Sequence, residues 1–220
     1  MALDRILTRG MPEPVDEPVP GWVTASPVKI MAVGDSLTIG YNDLTGGFRK
    51  PLCALLTADG IAFDMVGPNS DGSGFDAAHA AWAGQSIADI SADVETAIGT
   101  YDPHVILLGV GAVDIIEAQT PAQVAASIAG MLDMIYATDP GITVILAKLF
   151  PMDTVDAEDV IALNALLDDI AAGYPHTHVV DKHTGFDLAW LDTDDIHMIN
   201  PTGWEFVAHR VYYGILRVLA

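Results

Sequence analysis

Ser36, Asp194 and His197 are the residues whose types and spacing could do chemistry together. A serine hydroxyl becomes a nucleophile when a neighbouring base takes its proton during attack. A histidine three residues after an aspartate can be that base. The carboxylate folds back onto the other ring N–H and fixes the tautomer, and such a set is recognised by roles rather than by order. Ser36 lies in Gly34-Asp35-Ser36-Leu37-Thr38, and His197 closes Asp194-Asp195-Ile196-His197. The implied chemistry is hydrolysis through a serine nucleophile. From the residues alone a second reading stands beside it, in which Ser36 caps a helix and His197 is a satisfied loop histidine. Spacing also leaves Asp192 and Asp195 as competitors of Asp194.

These residues must be held by neighbouring elements. Val28 to Val33 is a β-branched apolar run that stops at Gly34, so it reads as a buried strand feeding a tight turn. Ser36 then lies past the carboxyl end of a strand, where open α/β sheets place their ligands. Phe48 to Ala58 reads as a helix with Pro51 in its first turn, ended by Gly60. Ile61 to Val66 reads as a second strand, and Asn69 to Gly74 as a turn-rich loop, either a plain connection or a cleft wall. Helices are predicted over Ser86–Ile98, Pro121–Ala137, Asp156–Ala172 and Thr202–Leu219. Val105–Leu108, Thr143–Leu149 and Val179-Val180 read as strands. Strands alternating with helices imply a parallel sheet covered on both faces. The expected fold is α/β, one three-layer α/β/α sandwich of flavodoxin-like character over 28–220. A proline-rich acidic arm over 1–27 precedes it, with Trp22 and Val23 as apolar anchors.

The chain has 220 residues, enough to bury a real core, and no apolar stretch long enough to span a membrane. Its net charge of −21, from nine basic and thirty acidic residues, argues against nucleic-acid and anionic-membrane partners. The single cysteine, Cys53, sits among leucines and reads as a buried structural thiol. The first residues lack the basic start and apolar core of a secretory signal. A cytoplasmic protein, part of a larger assembly, and export by another route remain open. His176, His178 and His183 lack further ligands at a usual spacing, and no metal or cofactor is expected. Oligomeric state is not indicated.

Gly34-Asp35-Ser36-Leu37 resembles the first block of the GDSL, or SGNH, hydrolases, and Asp194-x-x-His197 resembles their last. Within that family the likeness is to the acetylxylan-esterase branch of carbohydrate esterases. It is carried by Gly46-Gly47-Phe48-Arg49, Asp64-Met65-Val66-Gly67-Pro68 and His79-Ala80-Ala81-Trp82-Ala83-Gly84. The resemblance implies Ser36 as nucleophile, His197 as base and Asp194 as its orienting acid. It also implies an oxyanion hole built from the N–H of Ser36, the N–H of Gly84 and an asparagine side chain. The family's Gly-x-Asn-Asp block aligns with Gly111-Ala112-Val113-Asp114, so Val113 stands where the asparagine is expected. Asn42 and Asn69 are the candidates to supply the missing donor. Trp82 reads either as a sugar-stacking platform or as core packing between helix and sheet. Arg49 reads as pairing with an acid near the nucleophile loop or as anchoring that loop. Two functions follow: a serine esterase acting on acylated carbohydrate or another small ester, or a non-catalytic module that binds glycan or serves in an assembly.

Overall fold

The structure, a computed structural model, describes residues 21–41 and 45–219. In chain order it runs β1 (Val28–Gly34), α1 (Ser36–Ile39), α2 (Arg49–Ala58), β2 (Phe63–Met65), β3 (Asn69–Ser70), β4 (Ala78–Ala81) and α3 (Ile87–Tyr101). Then come β5 (Val105–Gly109), α4 (Ala112–Ile116), α5 (Pro121–Thr138), β6 (Thr143–Ala147), α6 (Ala157–Ala171), β7 (Thr177–Val180) and α7 (Pro201–Val218). A short 3₁₀ turn, Leu188–Trp190, precedes α7.

The strands form one seven-stranded sheet ordered β3-β4-β1-β5-β6-β7, with β2 also paired to β1. Apart from the antiparallel β3–β4 pair, every pairing is parallel. β2 lies along the first half of β1 and β4 along its last residues, so the two share one sheet position. The parallel part therefore follows the flavodoxin-like order, which reverses direction beside β1. Right-handed crossovers put α2 on one face and α3, α5 and α6 on the other. Accordingly α2 packs against α7, while α5 packs against both α3 and α6. This is the expected three-layer sandwich.

The central strands form as the sequence predicts because they are buried on both faces. Ile30 to Val33, Val105 to Leu108 and Val144 to Leu146 are all buried. The helices begin where local chemistry starts them. Ser86 with Asp89, and Thr120 with Gln123, form capping boxes, and Asn200 caps α7 ahead of Pro201. Cys53 is buried, and burial together with nearby Asp76 pushes its thiol up to about 12.

Other boundaries are corrected. The strand expected over Ile61–Val66 is confined to Phe63–Met65. The expected loop at Asn69–Gly74 begins as β3, with Asn69 and Ser70 paired to His79 and Ala78. Strand β4 is not predicted by the sequence, because alanines carry little β signal. It forms because Ala80 and Ala81 fall into register with Val33 and Gly34 and are buried there. Of the expected arm, residues 1–20 lie outside the described residues. The Trp22 and Val23 N–H groups donate to the Val218 carbonyl at 2.8 and 2.9 Å, and Val23 is buried.

Candidate active site

Ser36 opens α1 directly after β1, beside the point where the strand order reverses. Asp35 caps this short helix, its Oδ1 accepting the Leu37 N–H at 2.9 Å. Gly34 is required by space. A Cβ there would stand 2.2 Å from Thr38 Oγ1 and 2.4 Å from the Gly109 carbonyl oxygen. At the far end of α1, the buried Arg49 donates to the Thr38 and Ile39 carbonyls at 3.1 and 3.0 Å. The same guanidinium donates to the Ala77 and Asp71 carbonyls at 2.6 and 2.9 Å. Arg49 thus anchors α1, the helix that carries Ser36, to the 71–77 loop through backbone oxygens. Of its two expected roles, these four bonds supply the anchoring one.

His197 arrives from the loop between the 3₁₀ turn and α7. That loop closes on itself through a Leu191–Met198 bridge and an Asp192 N–H to His197 carbonyl bond of 2.6 Å. Met198 is buried beneath it, and a cluster of Phe150, Phe186, Trp190 and Phe206 rings supports its start. His197 Nε2 lies 2.8 Å from Ser36 Oγ, across 161 residues of sequence. On its other side Nδ1 lies 2.6 Å from Asp194 Oδ2.

The choice among the three aspartates has a local cause. Asp194 Oδ1 accepts the backbone N–H groups of Ile196 and His197 at 3.1 and 2.9 Å, which aims Oδ2 at the ring. Asp192 instead accepts the Thr193 N–H, and Asp195 is exposed with a left-handed backbone. Burial pushes the Asp194 carboxyl up. The His197 and Ile196 N–H groups and the ring outweigh it and bring the group down to about 2. An ionised Asp194 makes Nδ1 the donor and leaves Nε2 free to accept from Ser36.

The remaining predicted residues fall around this row. Gly84 lies exposed in the turn before α3 with φ +69, a conformation suited to glycine. The turn is tied to β1 by the Trp82 N–H, which donates to the Gly34 carbonyl at 3.0 Å. Val113 is half-buried in α4 and carries no polar side-chain atom. Asn69 donates its amide to the Ala81 carbonyl at 3.1 Å. Asn42 lies outside the described residues. Trp82 is half-buried against the core and also lines a cavity of about 350 Å³ with Ile39, Asn69, Asp71, Gln85 and Asp89. Both of its expected roles are therefore compatible with its place.

Sequence reasoning misses Tyr41. Its ring stands 5.1 Å from the His197 ring at 50°, and the residue is 52% exposed. A lone tyrosine beyond a turn carries no periodicity or spacing that would mark it. Among the described residues, no cluster of three His, Cys, Asp or Glu side chains is arranged to hold a metal ion.

The comparisons with known proteins agree with the fold. Residues 32–203 match the model of the GDSL-like lipase/acylhydrolase family. Similar solved structures include a family 3 carbohydrate esterase from Clostridium thermocellum. It shares 26% identity over 84% of this chain and 94% of its own, with a TM-score of 0.76. A family 3 carbohydrate esterase from Talaromyces cellulolyticus shares 23% identity over 87% and 97%, with a TM-score of 0.77. A mutant acetyl esterase solved with an acetate ion shares 22% over 87% and 97%, with a TM-score of 0.78. No curated protein matches this chain in sequence. The chain belongs to the GDSL-like lipase/acylhydrolase family.

Proposed function

We propose that the protein is a serine esterase that removes short acyl groups, acetyl foremost, from a carbohydrate. The observation that carries this reading is the continuous row from Ser36 Oγ through His197 to Asp194, with links of 2.8 and 2.6 Å. In the mechanism, Ser36 Oγ attacks the ester carbonyl while His197 Nε2 takes its proton. Asp194 holds the tautomer and stabilises the imidazolium. The N–H groups of Ser36 and Gly84 receive the oxyanion. The imidazolium then protonates the leaving alcohol, and a water activated by His197 hydrolyses the acyl-serine. The Tyr41 ring stands beside His197 at the edge of this row. Support for carbohydrate comes from the likeness to the carbohydrate esterases named above, and support for acetyl from the likeness to the acetyl esterase.

Val113 favours a second reading, a non-catalytic module that binds glycan or serves in an assembly. Loss of one side-chain oxyanion donor typically lowers kcat by about 10²–10³. Such a loss weakens an enzyme without removing its nucleophile and base. Hydrolysis of p-nitrophenyl acetate and acetylated xylan separates the two readings. Turnover by the unmodified protein, abolished in Ser36→Ala, is expected. Rates no higher than the Ser36→Ala background on every short acyl ester would overturn the esterase reading.

A further inference from the structure

The proposed chemistry leaves unused a buried lysine two residues past the end of β7. Lys182 is 6% exposed and Asp35, the cap of the nucleophile helix, is 2% exposed. From β7 the Lys182 side chain runs across the carboxyl ends of the neighbouring strands. Its Nζ stands 5.7 Å from the Phe150 ring centroid and 3.7 Å from the place a Cβ would take at Gly109. Gly109 is paired in register with Gly34, and Thr38 Oγ1 borders the Cβ position of both. The ammonium therefore lies under the turn that presents Ser36, in a lane left open by the missing side chain of Gly109.

A carboxylate as deeply buried as Asp35 is costly unless a charge or hydrogen bonds compensate it. One oxygen accepts the Leu37 N–H. Burial pushes the group up to about 6, against the opposing pull of the Leu37 N–H, Lys182 and His197, while Asp114 adds to the rise. Lys182 is reciprocally held down to about 8 by burial, with Asp35 opposing that fall. These are the charged groups that face the pair.

We infer that Lys182 is a positioning residue: its buried ammonium keeps the Asp35 carboxylate ionised, and the ionised carboxylate holds the Leu37 cap that sets Ser36 before His197. The inference rests on Ser36 acting as nucleophile, but its decisive readout does not need activity. That readout is a carbon-detected titration of the Asp35 carboxyl, assigned by its absence in Asp35→Asn. The Asp35 midpoint is expected near 6 in the unmodified protein. In Lys182→Met it should rise by about one pH unit or more, since a nearby opposite charge lowers a carboxylate by about 1–3 units.

The acid limb of kcat/KM should move with it, giving an activity about fivefold lower than the unmodified protein near pH 6 for a one-unit rise, and about tenfold lower at more acidic pH. The two proteins should converge above the Lys182 midpoint of about 8, where the unmodified lysine is itself neutral. An Asp35 midpoint unchanged by Lys182→Met, or an activity loss equal at every pH, would overturn the inference. Should Lys182→Met not fold, nitrogen-detected titration of Lys182 in the unmodified protein and in Asp35→Asn decides. Because Asp35 opposes the fall that burial causes, the Lys182 midpoint should drop below about 8 in Asp35→Asn, and an unchanged midpoint overturns the inference. If the unmodified protein hydrolyses no ester, the esterase reading falls while the Asp35 titration still tests the pairing.

Discussion

Replacing Arg49 with methionine tests how the helix that carries Ser36 is held. Arg49 is fully buried, and its guanidinium donates to the carbonyls of Thr38, Ile39, Asp71 and Ala77. Two of these are end carbonyls of α1, which no intrahelical donor can reach. Methionine fills much of the stem volume but supplies no donor, so four carbonyls lose their partner together. Hydrogen bonds to a charged group contribute about 1.5–3 kcal/mol each. Their simple sum overstates the effect, because the variant is also relieved of desolvating a guanidinium. A net destabilisation of about 3–5 kcal/mol follows, since each carbonyl left without a partner costs about 1–3 kcal/mol and the relieved desolvation offsets part of the total. At roughly 2–4 °C per kcal/mol for a chain of this size, Tm falls by about 10 °C. The assay is urea unfolding of both proteins, read as a change in midpoint at constant slope. Turnover per folded molecule should also fall, since α1 carries Ser36. A destabilisation below about 1 kcal/mol would refute the reasoning, because it would mean that water replaces the guanidinium at all four carbonyls.

Val113→Asn is expected to raise kcat on p-nitrophenyl acetate toward the 10²–10³ that a restored oxyanion donor is typically worth, with KM little changed. A fall in kcat would mean that another group already fills the hole. His79 is buried and neutral; burial and Arg49 bring it down to about 4, against the opposing pull of Asp71. Since its unfolded value is higher, its contribution is complete above about pH 6.5 and is lost as pH falls through about 4. The loss is of the order of 3 kcal/mol, and His79→Gln should flatten the urea-stability profile in that window. Gly34→Ala should cost at least about 3 kcal/mol, the upper range of overpacking, since one clashing atom is backbone; thermal unfolding reads it. Tyr41→Ala should raise KM for sugar or aryl acetates about 2- to 10-fold, the worth of one aromatic contact, with little change in Tm.

The elements around the candidate site are legible where burial or local bonding dominates. β1, β5 and β6 are apolar throughout because both faces are covered, and that pattern survives in sequence. Asp194 and His197 are three residues apart, so their bond is prepared within one turn of loop. The family blocks join that loop to Ser36. Strand β4 is not legible, since its alanines become a strand only by lying beside β1. The partners of Arg49 are not legible either, because a side chain that donates to carbonyls leaves no residue type to recognise.

The sequence by itself indicated the layered α/β architecture through its periodicity, and placed the candidate base three residues from its acid. Its resemblance to the family joined that pair to Ser36 and marked Val113 as the position where an asparagine is expected. Only the tertiary structure brought Tyr41 beside His197, buried Lys182 near the turn that carries Ser36 and tied α1 to the 71–77 loop. A buried charge and a surface charge have the same letter. Which one a lysine or arginine becomes depends on strands and helices that meet only when the sheet is assembled.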